Sequence, residues 1–159
     1  MKGQQITAEK LMERYSMRRH PENGAFTEAH YPHEGADRAA SGSIYYYVGP
    51  GERTAFHRID CDEYWCWVCG STLDVWIIAP DGSLTIRRLG VEDGCDPLLY
   101  LKKGMLFASA HADAVGEGTF VTCITVPRFE YAGFEMLGEE AVLAVCPEAK
   151  AFFHTEEKR

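Results

Sequence analysis

Between residues 25 and 134 the hydrophobic positions fall into short runs rich in Val, Ile, Thr and aromatic side chains, each closed by a turn signal. The runs cover 43–48, 64–68, 73–78, 84–89, 98–101, 105–109 and 119–126, and the turns include Gly49-Pro50-Gly51, Pro80-Asp81-Gly82 and Asp93-Gly94. No stretch between them is long enough for a helical crossover. The pattern therefore predicts a mostly β chain folded as a sandwich, barrel or jelly roll rather than a parallel α/β sheet. The rhythm changes at both ends. A short helix is expected over about 7–16, with Thr7 as N-cap, Glu9 in the first turn, Ile6 stapled against Leu11, and Pro21 as its stop. A helical tail is expected over about 139–153, as one helix or two, broken at Pro147.

Composition narrows the function more than the fold. At 159 residues one domain spanning 1–159 is expected, with a barrel over about 25–135. Such a domain buries roughly 70% of its unfolded surface and needs no metal or disulfide staple. A formal charge of -8 argues against a nucleic-acid groove, which needs a concentrated basic face. No apolar run reaches membrane-spanning length, and the start Met1-Lys2-Gly3-Gln4-Gln5 leads into no signal-peptide core, so a cytoplasmic protein without a membrane partner is expected. In that compartment the six cysteines are expected as reduced thiols.

The most specific stretch runs from Gly51 through His57, Ile59 and Glu63 to Gly70. It resembles the first motif of the cupin superfamily, in which a glycine precedes two histidines, a glutamate and a closing glycine, with Ile59 standing at the second histidine. In the second motif Gly104 fits, Lys102 replaces the usual proline and Phe107 occupies the histidine position. The flanks sharpen the resemblance. His20-Pro21-Glu22-Asn23-Gly24, Glu28, Ser43-Ile44-Tyr45-Tyr46, His57-Arg58, Asp62-Glu63-Tyr64-Trp65 and the ending from Thr125 to Glu135 are similar to the HPEGG-type family of cupin-like proteins of unassigned function. Asn23 departs from that pattern where a glycine is usual, and Cys66 where histidine is usual. The resemblance implies a cupin double-stranded β-helix, a jelly-roll barrel with an interior cavity, assembled as a homodimer. It implies no particular reaction.

Cupin metal sites usually take three imidazoles and a carboxylate, and of that set only His57 and Glu63 remain. No cofactor is therefore expected, a divalent metal at His57 and Glu63 being the alternative, which would need His111 or another side chain to swing in. The other chemistry is acid–base. His57 matches the position of the base in cupin sugar-nucleotide epimerases, with Glu63 beside it and Tyr45, Tyr47 or Tyr131 as a phenol, so the catalytic candidates are His57, Glu63 and Tyr45. Alternatively, His57 and Glu63 pair with each other and fix the barrel wall.

Strand alternation puts Trp65 and Trp67 on the face of Glu63 if no bulge intervenes, and Cys66 and Cys69 on opposite faces. Trp65 and Trp67, with Glu28, Tyr47, Arg58, Phe107 and Tyr131, complete the expected cavity wall. Of Tyr45, Tyr46 and Tyr47 at least one points inward, and the pattern does not decide which. The expected ligand is a small molecule, sugar-like or anionic, the latter because Arg53, Arg58 and Arg128 lie next to the motif segments. The function these residues support is small-molecule binding, with metal-independent epimerase or isomerase chemistry. A metal-dependent dioxygenase or isomerase, or a non-catalytic binding module, are the other classes.

Overall fold

Two antiparallel sheets face each other across one apolar layer. A computed structural model describes residues 6–33, 35, 37–111 and 115–154. The elements are α1 (Ala8–Arg14), β1 (Arg18–Arg19), β2 (Ala25–His30), β3 (Gly42–Val48), β4 (His57–Arg58), β5 (Asp62–Gly70), β6 (Leu73–Ile78), β7 (Leu84–Leu89), β8 (Leu98–Leu101), β9 (Leu106–Ala110), β10 (Thr119–Val126), β11 (Glu135–Met136), α2 (Glu139–Val145) and α3 (Lys150–Phe153). One sheet has the order β1-β2-β3-β10-β5-β8 and the other β11-β4-β9-β6-β7. Sequence neighbours such as β9 and β10 lie in different sheets, which is how the chain winds a double-stranded β-helix.

The inner layer holds Tyr46, Val48, Trp65, Leu73, Val75, Leu89, Leu99, Leu101, Phe107 and Val121, all buried. Each outer face has its own cover. Helix α1 lays Ala8 and Leu11 against Tyr47 and Phe120 of the larger sheet. The tail lays Val142, Cys146, Ala149 and Phe152 against Phe56, Ile78 and Ala108 of the smaller one.

Three local expectations change. Helix α1 ends at Tyr15 and Ser16, well before Pro21, with Ser16 at a left-handed φ of 47°. Thr7 does cap it, accepting from the Lys10 N–H, but Ile6 is exposed rather than stapled. Strand β5 carries a bulge, because Phe120 pairs with Cys69 and the next residue, Val121, with Trp67. The extra residue, Val68, shifts the parity beyond it, so Cys66 opposite Thr122 and Cys69 opposite Phe120 share the outer face. All six cysteines are free thiols. The tail breaks in two around Pro147, whose short 3-10 turn joins α2 to α3.

Candidate functional site

The site begins with the turn that joins β1 to β2, His20-Pro21-Glu22-Asn23-Gly24. The His20 N–H donates to the Gly24 carbonyl and the Asn23 N–H to the His20 carbonyl, both at 3.0 Å. Asn23 and Gly24 close the turn at left-handed φ values of 77° and 72°. Asparagine tolerates that conformation, but at the next position glycine is required for a second reason. A Cβ on Gly24 would lie 2.6 Å from the Tyr46 hydroxyl and 2.8 Å from the Tyr47 carbonyl. The turn is stitched to the segment before β4, since the Ala55 N–H donates to the Glu22 carbonyl (2.7 Å) and the Asn23 amide to the Arg53 carbonyl (3.0 Å). This backbone clamp holds the Glu22 side chain in the barrel, 4% exposed.

Glu22 meets His57 there. The Glu22 Oε2 atom lies 3.0 Å from His57 Nε2 and 3.8 Å from His20 Nδ1. A carbonyl can only accept, so the 2.9 Å contact of His57 Nδ1 with the Ala55 carbonyl places a proton on Nδ1 and leaves Nε2 to face Glu22. The His57 ring rests against Phe107, centroids 4.2 Å apart, with Phe134 at 5.4 Å. His20 accepts the Glu22 N–H at Nδ1 (3.3 Å) and packs against Phe26 and Tyr46. Tyr46 donates its hydroxyl to the Asn23 carbonyl at 2.7 Å.

Burial sets the protonation of this cluster. It raises the Glu22 carboxyl to about 8, with the neighbouring Tyr46 hydroxyl opposing the shift in part. Burial likewise raises Glu63 to about 7, with His57 opposing the shift and Glu22 adding to it. The His57 imidazole is lowered, chiefly by burial, and His20 falls to about 4 for the same reason, with His57 and Arg18 contributing. Near neutrality the proton between Glu22 and His57 therefore sits on the carboxyl, with neutral Nε2 as acceptor.

A cavity of about 120 Å³ opens beside the cluster. Glu22, His57, Glu63 and Thr125 give it polar walls, and Phe26, Tyr46, Trp65 and Phe134 give it ring faces. Arg18, Glu28 and Tyr131 also line it and are exposed, so they form the rim. Of the residues expected in the site, His57, Glu63, Trp65, Glu28 and Tyr131 are brought together here.

The others lie elsewhere. Tyr46 takes the inward position of β3, so Tyr45 and Tyr47 face outward. Tyr45 stacks on Tyr15 (4.6 Å) and Phe120 (5.6 Å), and the Tyr47 hydroxyl donates to Glu9 of α1 (3.2 Å). Trp67 shares the inner face with Trp65 but sits beyond the cavity in the core, its indole N–H directed at the Ser71 carbonyl. Arg58 points to the surface and pairs with Glu135 of β11 at 2.6 Å. Phe107 supports the back of the His57 ring without lining the cavity. Glu22, His20 and Tyr46 were missed as site residues. The signal for the first two was the turn motif itself, and for Tyr46 the bare glycine it packs against.

The donor set does not fit a metal. Ile59 lines the cavity where a second histidine would be needed. His111 cannot swing in, because its Nε2 is held by the Val48 carbonyl (3.1 Å) and Thr119 (3.0 Å). Among the described residues no group of three His, Cys, Asp or Glu side chains is arranged to hold an ion.

Two packed antiparallel sheets wound as a jelly roll, with a ligand-sized cavity inside, define a double-stranded β-helix protein. The chain belongs to the cupin superfamily, in the family described as Cupin superfamily (DUF985), which matches residues 9–137. A protein of Shewanella oneidensis with a crystal structure is 30% identical, covering 92% of this chain and 94% of its own, with a TM-score of 0.82. A hypothetical protein from Leishmania major is 24% identical over 92% of this chain and 96% of its own, with a TM-score of 0.80. Oxalate decarboxylase from Bacillus subtilis shares the fold at 19% identity and a TM-score of 0.60, 79% of this chain matching 33% of that one. No curated protein matches the chain.

Proposed function

We propose that the barrel cavity binds a small organic molecule and transfers protons on it without a metal, in an isomerase- or epimerase-like reaction. The carrying observation is the 3.0 Å contact between Glu22 and His57 Nε2 inside the cavity, with the His57 tautomer pinned by Ala55. Burial raises both carboxyls, Glu22 further than Glu63, so Glu63 is the first of the two to become a carboxylate and Glu22 the last to give up its proton. Glu63 removes a proton from carbon, and Glu22 returns one to the opposite face or to a neighbouring atom. One proton enters and one leaves, so the substrate is isomerised with no oxidant or cofactor. Exchange with solvent through the open rim takes the proton from Glu63 and restores one to Glu22, while His57 Nε2, 3.0 Å from Glu22, holds that carboxyl in place. We also infer a homodimer, argued below.

Proton exchange tests this before the natural substrate is identified. Small hydroxy-carbonyl compounds and sugars are incubated with metal-free protein in D2O and followed by NMR. The wild type should wash deuterium into a carbon position of at least one compound, fastest between pH about 7 and 8. Glu22→Gln and Glu63→Gln should slow exchange by about 100-fold or more while remaining folded. Elemental analysis of the same protein, made without a His tag, should find less than one transition-metal ion per chain. Exchange that neither variant affects, or exchange that requires added metal, overturns the reading.

A further inference from the structure

The inner wall of the cavity carries a buried hydrogen-bond donor whose bond is not closed. Trp65 is 1% exposed, and its indole N–H closes no hydrogen bond within the folded chain. Glu63 is the acid the indole faces: the N–H acts on it as a donor and lowers its pKa, yet the contact falls short of hydrogen-bond geometry. The Trp65 ring meets the rings of Tyr46 (5.5 Å) and Phe107 (6.0 Å) edge-on, and the Tyr46 hydroxyl is engaged with the Asn23 carbonyl. A buried donor left unpaired is costly and rare in native folds, so its place in a cavity wall points to a partner that arrives with the ligand.

The charge of the cavity limits what that partner is. Glu22 and Glu63 both line it at depth, and the lining guanidinium, Arg18, lies at the rim. Arg18 is 63% exposed, stacks over Phe26 at 4.4 Å and approaches Glu28 at 4.0 Å, so it is not available to an anion bound at depth. An anion there would meet two buried acids. The size is also restrictive, since a cavity near 150 Å³ admits a benzene-sized ring, and this one measures about 120 Å³ with an open rim.

We propose that the ligand is an uncharged, ring-sized compound bearing a carbonyl or hydroxyl oxygen, which accepts the Trp65 indole N–H while the ring packs on Tyr46, Phe26 and Phe134. This rests on the cavity being the binding site and names the class of molecule it takes. A carbonyl in this position also has its neighbouring carbon acidified, as proton transfer requires.

A matched series of probes tests it: cyclohexanone, its hydrocarbon isostere methylenecyclohexane, cyclohexanol and cyclohexanecarboxylate. Binding is followed by the 1H–15N resonance of the Trp65 indole, assigned with Trp65→Phe, Trp67→Phe and Trp76→Phe. Burial of apolar surface by itself favours the hydrocarbon over the more water-soluble ketone. The expected result is the reverse, with cyclohexanone bound about tenfold or more tighter than methylenecyclohexane and the Trp65 indole proton moved downfield. Trp65→Phe should restore the hydrocarbon preference, and the wild-type indole shift reads the same contact should that variant not fold. If methylenecyclohexane binds as tightly and the indole does not move, the Trp65 anchor falls while the cavity reading stands. Tightest binding by the carboxylate overturns the neutral-ligand assignment. Failure of every probe at millimolar concentration overturns both.

Discussion

Glu22 and His57 have opposite effects on stability as pH changes, which makes the cluster readable in the protein's melting behaviour. The Glu22 carboxyl rises from 4.5 to about 8 on folding, so between those values the unfolded chain releases a proton that the native state keeps. Stability is therefore lost as pH climbs through that window, and Glu63 adds to the loss up to about 7. The lowered histidines act on the other side. As pH falls below 6.5 the unfolded chain takes protons that buried His20 refuses until about 4 and His57 also resists, so stability is lost toward acid. Glu22→Gln removes the alkaline penalty while keeping the side-chain volume. It should raise Tm by several degrees at pH 9, on the order of 2–4 kcal/mol, and change it little near pH 4.5. An equal change at both pH values would show that Glu22 keeps an ordinary pKa. Under the proposed reaction the same variant would be more stable and slower in proton exchange.

At the scale of elements, the hairpin turn from His20 to Gly24 decides whether the site exists. Its residues are individually unremarkable, and their effect comes from the left-handed pair at its end and the clamp to Ala55. Gly24→Ala should destabilise the protein by about 2 kcal/mol or more in denaturant titration, since the added methyl meets both strained backbone and the Tyr46 hydroxyl. Gly94→Ala is the control: φ there is also positive, at 81°, but the space is open. It should cost about 1 kcal/mol. Equal losses at the two sites would mean that the approach of Tyr46 is not what requires the glycine. This turn was legible as a motif, since four of its five residues matched a known pattern, with Asn23 standing where glycine is usual. That it delivers two side chains to the barrel interior was not legible, because the strand it starts is set by pairing with β3.

Across the whole molecule the two outer faces are covered unequally. The tail covers the smaller sheet, whereas α1 reaches only the part of the larger sheet that carries Tyr45, Tyr47 and Phe120. The remainder is apolar and open: Tyr64 and Tyr100 stack at 5.2 Å across β5 and β8, and Leu98 and Tyr100 are each 50% exposed. Two copies pairing through this face would bury it and shield the edge strand β8. Light scattering at micromolar concentration should give twice 17.8 kDa. Leu98→Lys combined with Tyr100→Lys should halve that mass without changing the cavity. A wild-type mass near 17.8 kDa removes the dimer.

The alternation of polar and apolar residues determined most of the strands by itself: 73–78, 84–89, 98–101 and 119–126 form as the pattern predicts. These runs are bounded by turn residues whose backbone preferences are local, so no distant contact is needed to read them. The spacing around His57 and Glu63 was legible for the same reason. What only the tertiary structure decided was which face of each strand became the interior. Three consecutive tyrosines carry no parity, and α1 chose between them by covering Tyr45 and Tyr47, leaving Tyr46 inside. A single extra residue in β5 moved Cys69 to the face of Cys66, a change no count of alternation contains. The pairing of Glu22 with His57, 35 positions apart, is of the same kind. Side-chain period specifies a strand, but burial is a property of what packs against it, and that partner comes from elsewhere in the chain.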